Sequence, residues 1–309
     1  MIDHLVGRIS KPSQKTKSLP FIGKYNTVDG SIKSKKYVDP EDRYELISTR
    51  SDYTHFGITL SKVDCLKTFR NGQSQAYQYY SIAGSIHKFS NRGQHNHDQL
   101  TLNRFRRALA DIENHFGIDA TKTKLTSLEA GVNIHLSVPA ARMIEAVKCY
   151  KQKRHSKSFF EGTVAEQLTY HLTQQEFKIY DKGMQFREKF GTDENLLRIE
   201  LAMTKSQQFN SLGIKSLSDL KSEVSWKKLG SKLVNCSNQL VIFENKENQG
   251  GLKSRELIAR LNDRQHWSSI DKHTFKRHKM HLNKHSRINH LKTEILDLMK
   301  REIEQMISD

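Results

Sequence analysis

The stretch at residues 176–203 reads EFKIYDKGMQFREKFGTDENLLRIELAM and contains two segments in which apolar and polar residues alternate. Side chains alternate faces along a strand, so FKIYDK buries its apolar residues on one face and carries three polar residues on the other, Lys178, Tyr180 and Lys182. In LLRIELAM the apolar residues again share one face, and Arg198 and Glu200 project from the opposite one. If the two strands pair in one sheet, a phenol, amines, a guanidinium and a carboxylate converge.

Further strand-like runs lie at residues 1–10, 43–49, 55–61, 76–86 and 125–136. A helix is predicted at residues 102–116, where apolar residues recur at helical spacing and Gly117 is placed to end the helix. A second helix is predicted from Pro139 to about residue 151, since proline is favoured in the first turn. Strands that outnumber helices in this way favour an α+β fold whose sheet is covered by helices on one face. The polar face of the sheet is expected to be open and to carry the function.

The chain is predicted to divide into a sheet region, residues 1–205, and a helical, basic region, residues 206–309. In the second region, helical periodicity is found at residues 216–235, 252–265 and 286–307. No internal repeat is found.

The chain of 309 residues has 51 Lys and Arg against 34 Asp and Glu, a net charge of +17. This excess indicates a polyanionic partner, nucleic acid before an anionic membrane, although a basic surface without such a partner is the plain alternative. No apolar run approaches the roughly 20 residues that span a bilayer, and no signal peptide is predicted. The three scattered cysteines fit a reducing compartment, so a cytoplasmic location is expected, in the host cell if the protein is encoded by a phage.

Four polar groups recur on the presumed open face, and they are Glu129, Tyr180, Arg198 and Glu200. Two carboxylates on neighbouring strands are expected to hold one divalent cation, since Mg²⁺ prefers oxygen ligands. A tyrosine beside such a cation can attack phosphorus, but an unperturbed phenol has a pKa of about 10. We expect positive charge from Lys178, Lys182 and Arg198 to lower that pKa. The structural alternative is a packed tyrosine next to an ordinary Arg–Glu ion pair.

A second cluster, GSIHKFSNRGQHNHD at residues 84–98, contains three histidines. His87 is a candidate nitrogen ligand for the same cation. His95 and His97 have no cysteine or carboxylate at zinc-site spacing, so a phosphate-binding loop with Lys88, Arg92 and Asn96 is favoured over a zinc site. Lys88, His95 and Asn96 are expected to contact DNA, together with Lys178 and Arg198 of the sheet.

The run KHTFKRHKMHLNKHSRINHLK at residues 272–292 has seven Lys or Arg, five His and no acid. A helix that contacts DNA phosphates, through Lys276, Arg277 and Lys279 among others, is favoured over a merely solvated basic helix.

Taken together these segments resemble the replication initiators of rolling-circle replicons, above all the gene II replication protein family of filamentous phages. MIDHLVGRIS resembles the start of that family, SLEAGVNIHLSVPA its acidic strand, GSIHK with GQHN its Ser-x-x-Lys and His-Asn segment, IYDK its tyrosine strand and LLRIE its Arg-x-Glu strand. The five motifs cover residues 1–205 in the family's order. Glu129 stands where that family usually has Asp.

The resemblance implies an HUH-like nuclease fold with a central antiparallel sheet, which nicks DNA through a phosphotyrosine and needs Mg²⁺ or Mn²⁺. It implies Tyr180 as the nucleophile, with Lys182, Arg198 and Glu200 at matching positions. The implied partner is a DNA replication origin, single-stranded or supercoiled, together with a host helicase and polymerase. A mobilisation relaxase and a non-catalytic DNA-binding protein of the same fold are the alternatives.

Overall fold

The structure is a computed structural model that describes residues 2–10, 12–20, 22–23, 34–38, 43–159, 166–243, 252–284 and 290–309. Residues 285–289, near the end of the basic run, lie outside this part of the chain, and they include residues 286–289 of the last predicted helix.

Eleven strands of the described residues form one antiparallel sheet in the order β2-β4-β5-β6-β1-β7-β12-β11-β10-β9, with β3 paired to β4. A separate pair joins β8 and β13. The strands are β1 (Ile2–Ile9), β2 (Ile22–Gly23), β3 (Ser34–Val38), β4 (Tyr44–His55), β5 (Ile58–Phe69), β6 (Ser74–Ser85), β7 (Thr123–His135), β8 (Val147–Tyr150), β9 (Ser156–Phe159), β10 (Glu166–Leu172), β11 (Gln175–Asp181), β12 (Leu196–Met203) and β13 (Leu240–Ile242).

The helices are α1 (Gln14–Ser18), α2 (Ile86–Ser90), α3 (Leu102–Phe116), α4 (Ala140–Ala146), α5 (Lys182–Phe190), α6 (Gln207–Asn210), α7 (Glu223–Ser237), α8 (Leu252–Asn262), α9 (Arg264–Ser269), α10 (Lys272–Lys284) and α11 (His290–Ser308). The predicted α+β class with a central antiparallel sheet is therefore confirmed. None of the described helices is long and apolar enough to cross a membrane.

Local sequence explains where these elements end. Helix α3 spans the predicted residues and stops at Gly117, which adopts φ +66°, a left-handed conformation that glycine enters without steric cost. The helix predicted from Pro139 to residue 151 is shorter, because α4 ends at Ala146. Residues Val147–Tyr150 instead form strand β8, whose backbone groups pair with β13.

The apolar face of the sheet is covered by helices from both halves of the chain. Helices α7 and α11 pack against β7, and α4 packs against β11. Ile295 and Met299 of α11 are buried in the same apolar cluster as Val132 and Ile199 of the sheet. Helices α8 to α10 close over a smaller cluster centred on Trp267. The division at residue 205 stays a prediction, and α7 and α11 share the core of the sheet.

Candidate active site on the polar face of the sheet

The register of three neighbouring strands brings the predicted polar groups together. Ala202 lies opposite Glu129 in the β12–β7 pair, so Glu129 and Glu200 project from the same face. In the β11–β12 pair, Lys178 lies opposite Glu200, and Tyr180 lies opposite Arg198. The prediction that the two glutamates meet on adjacent strands is confirmed.

A third carboxylate, Asp3, joins the two glutamates. One carboxylate oxygen from each of Asp3, Glu129 and Glu200 lies within 4.8 Å of the other two. Sequence reasoning missed Asp3 because β1 has a register irregularity between Ile2 and Leu5, which changes the alternation of faces. The available signal was that Asp3 is the one acid in the first strand. Such all-oxygen donor sets suit Mg²⁺ or Mn²⁺.

Arg198 bonds to two members of this carboxylate triad (Asp3, Glu129 and Glu200). Its Nε lies 2.5 Å from Oε1 of Glu200, and its Nη2 lies 2.9 Å from Oδ2 of Asp3. Its Nη1 donates to Oδ1 of Asn133 at 2.8 Å. Arg198 is 2% exposed, so these bonds form in a poorly solvated environment where charge-assisted hydrogen bonds are strong. The guanidinium therefore holds two of the three carboxylates at fixed positions.

Gly131 provides the space for this arrangement. It lies opposite Glu200 in the register, and a Cβ there would be 2.8 Å from Cγ of Glu200 and 3.0 Å from Nη2 of Arg198. A glycine inside a strand commonly marks such a close approach. A glycine within the strand pattern at 125–136 was therefore a sequence signal of this close contact, and the prediction from sequence did not use it.

The two glutamates titrate differently. Burial and the neighbouring Glu200 carboxylate raise the pKa of Glu129 to about 7, although Lys178 Nζ lies 2.7 Å from its Oε2. Burial also acts to raise the pKa of Glu200, but the charges of Arg198, Lys178 and Lys182 together lower that pKa. At Asp3 burial acts in the same way, and Arg198 together with His87 and the hydrogen bond from Ser85 lowers the pKa. Crowding of like charges, which a bound cation relieves, is strongest at Glu129.

Tyr180 is buried, with 4% of its surface exposed, and its hydroxyl donates to Oε1 of Glu200 at 2.8 Å. Burial and the Glu200 carboxylate raise its pKa well above 10. The expectation that nearby cations lower the pKa of this phenol is therefore wrong. Arg198 does act to lower the pKa of the phenol, but the negative charges of Glu200 and Asp3 act in the opposite direction.

Two further expectations need correction, namely that Lys182 belongs to the strand of Tyr180 and that the polar face of the sheet is open. Strand β11 ends at Asp181, whose side chain accepts from the backbone N–H of Met184, so Lys182 is the first residue of α5. Its Nζ nevertheless reaches Oδ1 of Asn96 at 2.8 Å, and burial, aided by Arg198, lowers its pKa to about 7. Asn96 in turn donates to Asp3. The predicted open face is thus covered here by the segment at residues 91–98 and the start of α5.

His87 lies beside the carboxylate triad and is engaged elsewhere. Its Nε2 is 2.6 Å from Oδ1 of Asp98, whose other oxygen pairs with Arg104 at 2.8 Å. Burial lowers the pKa of His87 to about 4. Among the described residues, the grouping of metal-ligand atoms contains the three carboxylates and leaves out His87.

The remaining predicted contacts for DNA fall into two places. Lys88 is exposed on α2, and the His95 ring stacks on His97 at 4.1 Å between centroids. On α10, Lys276 and Arg277 are exposed. Lys279 is half-buried, and burial lowers its pKa.

No family model matches this chain, and no curated protein sequence matches it. One solved structure that it resembles is described as a rolling circle replication initiator protein from Geobacillus stearothermophilus. The two chains are 10% identical with a TM-score of 0.35, and the match covers 85% of this chain and 96% of that one. A similarity of this size assigns no role to any residue.

Proposed function

We propose that this chain is a site-specific DNA endonuclease and strand transferase that nicks one strand at an origin and starts rolling-circle replication of a phage or plasmid. The observation that carries the proposal is the bond between the Tyr180 hydroxyl and Glu200, because Glu200 also belongs to the carboxylate triad. A nucleophile and a site suited to a divalent cation therefore share one group. The net charge of +17 fits a DNA substrate.

Asp3, Glu129 and Glu200 would hold Mg²⁺ or Mn²⁺, which acts as a Lewis acid on a phosphate oxygen when bound. Tyr180 Oη attacks phosphorus, a tyrosine–phosphate bond forms, and the bond from phosphorus to the 3′ oxygen breaks. Because the phenol is protonated at neutral pH, Glu200 takes its proton as attack proceeds. Lys182, with a pKa of about 7, would give a proton to the leaving 3′ oxygen. The reverse steps reseal the strand.

The burial of Tyr180 sets a requirement on this mechanism. A phosphodiester reaches the hydroxyl only if the cover formed by residues 91–98 and α5 moves when DNA binds. Lys178 and Arg198 in the site, Asn96 in the cover, and Lys88 and His95 beside it are proposed contacts for the DNA phosphates.

The test is Tyr180→Phe, incubated with Mn²⁺ and supercoiled origin DNA. Nicking and the covalent protein–DNA adduct should both be lost, while DNA binding remains, because only a hydroxyl is removed. Tyr170→Phe, which removes a buried hydroxyl on β10 that is bonded to no described residue, is the matched control and should nick normally. An adduct that persists in Tyr180→Phe and maps to another tyrosine would disprove the role of Tyr180.

A non-catalytic DNA-binding protein is the second candidate, favoured by the burial of Tyr180 and its raised pKa. Its expected result in the same assay is specific origin binding by the unmodified chain with no nick at any Mn²⁺ concentration.

A further inference from the structure

A cavity of about 640 Å³ lies away from the carboxylate triad, between the β4–β5 turn, α2 and α3. This volume is within the range of small-molecule sites. The lining residues that can contact a ligand are His55, Phe56, Arg92, Arg104, Arg107 and Asp111.

The lining carries an excess of positive charge. Arg104 is neutralised by Asp98, with 2.8 Å between Nη1 and Oδ2. Within the part of the chain that the structure describes, neither Arg92 nor Arg107 forms an ion pair, and Asp111 is the one acid in the lining. Two guanidiniums facing a cavity can each donate two hydrogen bonds to a phosphate.

One wall of the cavity is aromatic. The His55 ring lies 4.0 Å from the rings of both Phe56 and His115, and it stacks on His115 with an interplanar angle of 15°. Phe56 is 42% exposed and adopts φ +46°, which is uncommon for a residue other than glycine. An exposed ring held in an unfavourable backbone conformation provides a surface on which a flat heterocycle can stack.

We propose that this cavity binds a nucleoside phosphate. Phe56, which rests on His55, stacks on the base, Arg92 and Arg107 bind the phosphate, and Asp111 accepts a hydrogen bond from the base or the sugar. Arg104 joins the lining to Asp98 and through it to His87, which is next to the triad. We therefore assign the bound nucleotide to the DNA strand. This assignment rests on the proposed function, whereas the inference that the cavity binds a nucleoside phosphate is independent of it.

The first experiment measures binding of 2′-deoxyadenosine 5′-monophosphate and of inorganic phosphate by calorimetry, without divalent cations. Arg92→Ala and Arg107→Ala should each weaken nucleotide binding about tenfold or more, from the loss of a charge-assisted bond. Phe56→Ala should weaken it about fivefold or more, with little effect on phosphate. Arg106→Ala, on the same helix but outside the lining, is the control and should bind normally. The proposal would be overturned if the nucleotide did not bind, or if Arg106→Ala and Arg107→Ala weakened its binding equally. It would also be overturned if inorganic phosphate bound as tightly as the nucleotide.

The second experiment separates a strand nucleotide from a free one, using anisotropy of a labelled origin oligonucleotide without metal. If Arg107→Ala and Phe56→Ala weaken the oligonucleotide as they weaken the mononucleotide, the site holds a nucleotide of the strand. If only the mononucleotide is weakened, the site holds a free nucleotide, and the assignment to DNA is wrong. Neither readout involves cleavage, so a failure of the nicking proposal leaves both results interpretable.

Discussion

The carboxylate triad and helix α10 both carry many charges, yet they are built in opposite ways. In the triad, Asp3 and Glu200 are buried and Glu129 is half-buried, and each is bonded to a cation: Arg198 bonds to Asp3 and Glu200, and Lys178 bonds to Glu129. On α10, Lys276 and Arg277 are exposed, and neither forms an ion pair with a described residue. A buried network fixes geometry, which chemistry requires, whereas exposed cations attract phosphate with little geometric demand. Substitutions in the two regions should therefore fail differently.

The largest effect is expected from Glu200→Gln. Loss of this carboxylate removes one of the proposed metal ligands and leaves Arg198 with less compensating charge in a buried position, which costs about 3 kcal/mol or more of unfolding free energy. Mn²⁺ binding, measured by calorimetry or electron paramagnetic resonance, should fall sharply, and nicking should be lost. Glu304→Gln, an exposed acid on α11, is the control and should change neither quantity. Unaltered Mn²⁺ binding in Glu200→Gln would exclude this carboxylate as a ligand.

A pH effect of similar size is expected at His87. Its folded pKa of about 4 is below the unfolded value of 6.5, so the unfolded state binds the extra proton between these values. Stability should be full above pH 6.5 and fall as the pH drops, by about 3 kcal/mol at pH 4. Urea unfolding at pH 7 and pH 5 should show about 2 kcal/mol of this loss.

His87→Gln removes that contribution and should flatten the pH dependence, whereas His273→Gln, exposed on α10, should not. If both variants keep the slope of the unmodified chain, another group controls the acid sensitivity of the buried region.

Gly131→Ala should cost about 1–3 kcal/mol through overpacking, because its Cβ would be 2.9 Å from the backbone oxygen of Ile199 as well as close to Glu200. Backbone cannot move aside as a flexible side chain can, so Glu200 should shift. We expect weaker Mn²⁺ binding together with a lower midpoint of urea unfolding. A stability loss with unchanged Mn²⁺ affinity would mean that the triad adapts to the added methyl group.

The smallest effect is expected on α10. Lys276→Ala combined with Arg277→Ala should leave Mn²⁺ binding and folding unchanged and weaken DNA binding. The slope of log K against log salt should fall by about 2 on duplex DNA, from about 0.9 per phosphate contact. Lys300→Ala with Arg301→Ala on α11 makes the same charge change elsewhere. Equal slopes in the two double variants would show that α10 acts only through the net charge of the chain.

Sequence alone predicted the fold class and the convergence of Glu129 with Glu200, because strand alternation is a strong local rule that holds along β7, β11 and β12. It failed where alternation stops, at the irregularity beside Asp3 and at the strand end before Lys182. The burial of Tyr180 was also missed. It depends on a covering segment that is distant in sequence, and no local pattern reports such a contact.

Strand β1 lies in the middle of the sheet, between β6 and β7, and it carries Asp3. During synthesis at about 5–20 residues per second, the partner β7 is complete only some 6–25 s after β1 has been made. Until then β1 has an unpaired edge on at least one side, and the triad cannot assemble. The triad also needs Glu200, which lies on β12, so a chain that has not been synthesised beyond β12 cannot assemble the three carboxylates.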